Sequence, residues 1–343
     1  MTGPRVMLGV LSSVPGRLRA AVQARRVYRR WAHLRPSRYD YNMVVIGAGS
    51  GGLVAAYIAA ATKARVALVE RHRMGGDCLN TGCVPSKALI RSAKLLSHIA
   101  RANEFGIAAA TAQFDFAAVM ERVSRVVTTV APHDSVERYT GLGVDVLKGS
   151  ARITSPWTVD VETDAGRRTL TTKNIVIAAG ARPFVPPVPG LDAVGYLTSD
   201  TVWSLRERPH RLVVLGGGPI GIELGQAFRR LGSEVVVIDS GQMLDREDRP
   251  AADVVLTQLA GDGVELLPGH KAVRVEAGPT LIVQGPQGER RISGSHLLIA
   301  VGRAPSLDGL DLAKGDVAHD RQGVTTDAAL RSTTNRRVFV VGD

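Results

Sequence analysis

The feature that most constrains this 343-residue sequence is a unit that occurs twice. Each copy is a short apolar run, a Gly-x-Gly-x-x-Gly turn, a helical stretch, a second valine-rich run and one terminal acid. The first copy runs from Asn42 to Ile46, then Gly47, Gly49 and Gly52, then a predicted helix over 53–62, then Arg65 to Val69, closed by Glu70. The second runs from Arg211 to Leu215, then Gly216, Gly218 and Gly221, then a predicted helix over 222–231 stopped by Gly232. Glu234 to Ile238 follows, closed by Asp239. In both copies 18 residues separate the third glycine from the acid.

Each residue type in this pattern has a physical task. The first glycine permits a tight turn, the second lets the backbone approach a pyrophosphate, and the third lets the helix pack on the strand. The helix N-terminus then faces the phosphates, and the acid lies at the spacing for a ribose hydroxyl. Two such units imply two dinucleotides, one per unit, in an α/β chain of two Rossmann-like, three-layer domains. Asp239 favours an unphosphorylated ribose, so NADH over NADPH. No base lies in 240–244, and Arg246 is the first.

Composition excludes several alternatives. The chain is 45% hydrophobic and 22% charged, with ample apolar material for a core, so it is neither disordered nor collagen-like. Its net charge of +11 points to nucleic acid only until it is located. Residues 1–39 hold nine Arg and no acid, whereas the remaining 304 residues carry 34 bases and 32 acids. The body is near neutral, and no nucleic-acid partner is expected. The basic leader, 1–39, is read as lying outside the fold. Its apolar patch from Val6 to Val14 is too short to span a bilayer. A solvated linker, an organelle transit peptide and a membrane-surface helix all fit it. The 22 uncharged residues from Tyr41 to Thr62 hold four glycines and read as strand, turn and helix rather than a membrane span.

Both cysteines lie in Gly75-Gly-Asp-Cys78-Leu-Asn-Thr-Gly-Cys83-Val-Pro-Ser-Lys87. A structural staple is poor, because closing so short a loop removes little chain entropy. A zinc site lacks ligands, and no metal is expected. A redox dithiol fits best. Pro85 and Ser86 mark a helix running to about Ala100, which puts Cys83 at its positive end and favours a thiolate. Lys87 follows one turn later and adds positive charge.

This cysteine segment closely resembles the active-site segment of the flavin-dependent pyridine nucleotide–disulfide oxidoreductases. Its nearest likeness is to the dihydrolipoamide dehydrogenase and mercuric reductase branch, with glutathione reductase more distant. The resemblance covers 40–343. It implies an FAD-binding domain over 40–185 and 300–343, interrupted by an inserted NAD(P)-binding domain over 186–299. It also implies FAD on Gly47, Gly49, Gly52, Glu70, Gly76 and Asp343, and NAD(P) on Gly216, Gly218, Gly221, Asp239 and Gly302. Glu223 matches a glutamate that pairs with the lysine at Lys87 beside the flavin. The strands ending at Gly180 and Gly302 resemble the family's returns between its nucleotide domains; Ala178-Ala179-Gly180 departs from the usual Ala-Thr-Gly.

The implied activity is an NAD(P)H-dependent flavoprotein disulfide reductase. Hydride passes from NAD(P)H to FAD, then to the Cys78–Cys83 disulfide, then to a small-molecule or protein disulfide, or to Hg(II). Cys83 would be the thiol nearest the flavin, forming a charge-transfer pair, and Cys78 the interchange thiol. The family continues past the match to Asp343 into a dimerisation domain carrying a His–Glu pair, which this sequence lacks. A fragment or truncated product is therefore expected. A diaphorase or NAD(P)H oxidase, and an inactive nucleotide-binding fragment, are the competing readings. A homodimer is expected for the family. A cytoplasmic location is expected, with membrane association through the leader as a variant.

Overall fold

The computed structural model describes residues 31–343. The readings of the leader up to residue 30 lie outside the described residues; Ala32–Leu34 forms one 3-10 turn before the first strand. By packing, the chain divides into two compact units. The first comprises 31–76, 132–181 and 305–343; the second comprises 77–131 and 182–304. Residues 77–131, which the sequence-level boundaries group with the flavin-type domain, thus belong by packing with the second unit.

The first unit is built on a parallel sheet. Its strands run Val144–Lys148, Val66–Glu70, Tyr41–Ile46 and the C-terminal half of Gly166–Ile177, with Val338–Val340 at the far edge. The long Gly166–Ile177 strand continues backwards into an antiparallel meander with Thr158–Thr163 and Ser150–Ser155. The valine runs form strands because β-branched side chains suit a pleated surface, and both faces of a parallel sheet are covered. Successive residues therefore enter opposite cores. Val44 and Ile46 join one apolar cluster with Val69 and Ile175, while Val45 joins the other with Leu68 and Val176. The Ser50–Ala61 helix lies on the second face and buries Gly52, Leu53, Ala56 and Ala60, one side at helical spacing.

The second unit repeats the scheme. Glu265–Leu267, Glu234–Ile238, Arg211–Leu215 and His296–Ile299 form a four-stranded parallel sheet. Leu212 and Val214 face one core, Val213 and Leu215 the other. The Pro219–Arg230 helix covers the first face, and Lys271–Glu276, Thr280–Gly285 and Gly288–Ser293 form a separate antiparallel sheet. Helices Cys83–Ala100 and Phe116–Val130 enter the same core as Pro219–Arg230, through Leu89, Ala93, Met120, Val123 and Phe228. That shared core explains why 77–131 belongs with this unit. Among the described residues, no helix is long and apolar enough to cross a membrane. Tyr41–Thr62 resolves into a strand, a glycine turn and a helix.

The two nucleotide units end their helices differently. Gly232 closes the second helix in the left-handed region at φ 89°, where its N–H donates to the Arg229 carbonyl at 2.9 Å. The matching position of the first unit is Lys63, at φ 65°, whose N–H donates to Ala60 at 2.8 Å. A lysine there carries a steric cost that glycine does not. Lys63→Gly is expected to stabilise the first unit by about 1 kcal/mol, read as a higher midpoint in urea unfolding with unchanged slope.

Candidate active site

Each glycine turn is braced by the acid that closes the neighbouring strand. Glu70 accepts from the Ala48 N–H at 2.8 Å through one carboxylate oxygen and from the His72 N–H at 2.7 Å through the other. Asp239 accepts from the Gly217 N–H at 2.7 Å and from the Gly241 N–H at 2.8 Å. Ala48 and Gly217 are the same position of their motifs, and His72 and Gly241 both follow their acid by two residues. A carboxylate has about four lone-pair sites, so each acid keeps capacity for a ribose hydroxyl.

The helices that start on these turns have glycine N-caps, Gly49 and Gly218, with no side-chain cap bond. Their first-turn N–H groups have no intrahelical acceptor, and the helix dipole adds to them. Such open helix ends favour an anion.

The remaining flavin-set residues converge on the first turn. Gly76 sits at φ 56°, and a Cβ there would lie 2.5 Å from the Gly49 Cα, so the two backbones approach this closely only because residue 76 is glycine. Gly75 donates to the Ala48 carbonyl at 2.9 Å. Strand Val338–Val340 carries Gly342 to the start of the Ser50–Ala61 helix, where its nitrogen lies 3.0 Å from where a Gly51 Cβ would be. Asp343 follows it, exposed. Beside Gly47 and Glu70 a cavity of about 240 Å³ opens between Arg71, Gly149, Arg152 and Asp308. Uncapped amides, a braced acid and an adjoining cavity fit the adenosine and pyrophosphate end of a dinucleotide.

In the second unit, Gly216, Gly218, Gly221 and Asp239 form the matching set, and a Cβ on Gly216 would meet the Ala300 carbonyl oxygen at 2.3 Å. Gly302 lies two residues further, at φ 136°, with its carbonyl accepting from Phe184 at 2.9 Å. Met243 is buried against Gly217, and Leu244 donates to the Gly217 carbonyl at 3.0 Å, so the segment after Asp239 folds back onto the turn. Arg246 is exposed.

All four predicted catalytic residues lie in the second unit. Cys78 is half-buried on the short Gly76–Asn80 helix, and Cys83 is exposed. The next helix begins at Cys83 itself, two residues before the predicted start, with Gly82 as an uncapped N-cap. Cys83 therefore occupies the first helical position, at the positive end of an 18-residue helix. Lys87, one turn on, is ion-paired with Glu223 at 2.6 Å. Their side chains are 61% and 42% exposed, a setting in which an ion pair contributes little stability. Sequence reasoning missed Trp203, whose indole N–H is shared between the Thr81 carbonyl at 2.9 Å and the Ser199 carbonyl at 2.7 Å. Thr81 lies between the two cysteines, and 122 residues of sequence hide the contact. Among the described residues, no group of three or more His, Cys, Asp or Glu is placed to hold a metal ion.

Comparison with known proteins agrees with this geometry. A family model described as pyridine nucleotide-disulphide oxidoreductase matches residues 41–343, and the chain belongs to that family. It is 36% identical over 311 residues to a mercuric reductase of Bacillus cereus, covering 89% of this chain and 48% of that protein. It is also 36% identical to a dihydrolipoyl dehydrogenase of Bacillus subtilis (strain 168), covering 65% of its length. Among solved structures it resembles the HOCl-induced flavoprotein disulfide reductase RclA from Escherichia coli. That match has a TM-score of 0.74 at 28% identity and covers 88% of this chain and 66% of that one. The chain thus spans about half to two thirds of the length of these relatives. Membership implies FAD and a pyridine nucleotide as the cofactors.

The Gly76–Gly49 approach generates a prediction. Gly76→Ala places a methyl against backbone that cannot yield. Flavin retention after gel filtration is expected to fall at least about tenfold, an estimated loss of 1.4 kcal/mol or more of binding, while far-ultraviolet circular dichroism stays unchanged.

Proposed function

We propose that this chain is the nucleotide-binding and dithiol portion of a flavoprotein reductase. In this reading the first unit holds FAD, the second holds NADH, and Cys78 with Cys83 reduces a disulfide or Hg(II). The observation that carries this reading is the Lys87–Glu223 pair at 2.6 Å, one turn from Cys83. It joins residues 136 apart in sequence, and it is the contact that the family resemblance implies for a flavin-adjacent lysine.

The chain's own residues have separable tasks. The amides after Gly49 and Gly218 bind the pyrophosphates, and Glu70 and Asp239 hold the turns and meet the riboses. When bound, the flavin supplies the two-electron link between nicotinamide and dithiol. Lys87 supplies a fixed positive charge beside the dithiol helix, and Glu223 aims it. With a disulfide substrate, the Cys78 thiolate attacks one sulfur, forming a mixed disulfide and expelling the other as thiolate. Cys83 then attacks the Cys78 sulfur, releasing the second thiolate and closing Cys78–Cys83. Each departing thiolate takes a proton from solvent.

Asp239 supports NADH as the donor. An acid at the end of this strand disfavours a 2′-phosphate on the ribose, and 240–244 contains no base to reward that phosphate. We assign the reaction to the cytoplasm, where the reduced nicotinamide pool lies, and a homodimer to the whole protein.

Two measurements test this. Anaerobic NADH titration of flavin-loaded protein is expected to produce a long-wavelength absorbance band that disappears in Cys83→Ser. Cys78→Ser is expected to abolish disulfide reduction while sparing dye reduction; loss of neither would leave a diaphorase. Separately, kcat/KM for dye reduction is expected to favour NADH over NADPH by about tenfold or more, an estimated 1.4 kcal/mol in transition-state binding. Asp239→Asn is expected to narrow that ratio.

A further inference from the structure

An acid directly precedes the first cysteine. Asp77 lies in the first turn of the Gly76–Asn80 helix, and its carboxylate is ion-paired with the Arg303 guanidinium. The two residues are 226 apart in sequence. The Arg303 side chain is only 19% exposed, whereas Asp77 is about half exposed. Arg303 also follows Gly302, the turn glycine of the pyridine-nucleotide set. A largely buried arginine thus reaches the dithiol segment from the other end of the second unit.

Charge gives this contact its meaning. Adjacent Cα atoms lie about 3.8 Å apart, so the Asp77 carboxylate stays within about one Debye length of the Cys78 sulfur in any rotamer. A bare carboxylate there would oppose a thiolate and repel an anionic reactant. Lys87 cannot offset it alone, because its ammonium is paired with Glu223.

We propose that Arg303 is a positioning residue that acts through Asp77. It holds the Cys78 segment in place and cancels the carboxylate's field at the Cys78 sulfur. The proposal rests on the reading of Cys78 as the reacting thiol and adds the residue that sets its electrostatic surroundings. The Trp203–Thr81 bond restrains the same segment without charge, so mechanical restraint and charge balance can be separated.

The test uses the reduced full chain in a Cys83→Ser background, where Cys78 is the single cysteine. The alkylation rates of iodoacetate and iodoacetamide are measured at one pH. Both reagents consume the same thiolate, so their ratio cancels the thiolate fraction and reads the potential at the sulfur. Arg303→Gln is expected to lower the iodoacetate-to-iodoacetamide ratio about threefold, the size of one charge acting over roughly 6 Å in water. Asp77→Asn is expected to raise it by a similar factor, and the double variant to return it to the parent value. Trp203→Phe is expected to leave the ratio unchanged whatever it does to the separate rates. If Arg303→Gln does not fold, Asp77→Asn decides, since it keeps the arginine. An unchanged ratio in Asp77→Asn, a double variant that fails to return, or a Trp203→Phe shift as large as that of Asp77→Asn would overturn the proposal. The readout needs neither cofactor nor turnover, so failure of the disulfide-reductase reading would appear only in the titration and turnover assays.

Discussion

Both nucleotide units depend on a carboxylate at the end of one strand that accepts a hydrogen bond from the middle of the neighbouring glycine turn. Glu70 does this to Ala48 and Asp239 to Gly217. Without that acceptor the turn would expose an amide inside a tightly packed crossing of strand and helix, at a cost comparable to a lost hydrogen bond. With it, the turn is rigid before any nucleotide arrives. The acid at 18 residues is therefore a brace for the turn, which accounts for its recurrence at the same interval in both units.

A second regularity concerns helix starts. Helices Phe116–Val130, Val136–Gly141 and Arg249–Gly261 are capped by Asp115, Ser135 and Asp248, whose side chains accept from the first-turn amides. Helices Ser50–Ala61, Cys83–Ala100 and Pro219–Arg230 start on glycine with no side-chain cap. A glycine N-cap forgoes only a few tenths of a kcal/mol relative to a side-chain cap and keeps the positive end of the helix open to an anion. The uncapped set consists of the two glycine-turn helices and the one that begins at Cys83. Among these six helices, the three that start on glycine leave their positive ends open and the other three close them.

The dithiol helix owes its rigidity to the second unit's core. Leu89 and Ala93 pack with Met120, Val123 and Phe228, so the helix that presents Cys83 is anchored along its buried face. Its exposed face is then available for Lys87 to meet Glu223. An exposed ion pair of this kind adds little stability, and its placement one turn from Cys83 is better explained by chemistry than by folding.

Much of this architecture was legible in the chain. Parallel strands buried on both faces read as unbroken valine runs, and the glycine spacing is too specific to serve many purposes. Helix starts were less legible. The sequence pattern begins the helices at 53, 222 and about 85, whereas they begin at Ser50, Pro219 and Cys83. Glycine and proline carry no amphipathic signal, yet the first helical bonds, Leu53 to Gly49 and Ile222 to Gly218, already close inside the motif. The long-range contacts were not legible from local pattern at all. Lys87–Glu223 was expected only from family resemblance, and Trp203–Thr81 and Arg303–Asp77 join residues 122 and 226 apart. Local spacing by itself determined two glycine turns, each between a buried strand and a helix, because backbone sterics and hydrogen-bond geometry act over a few residues. Tertiary structure alone decided which side chains surround the thiols, because that depends on how distant segments share one apolar core.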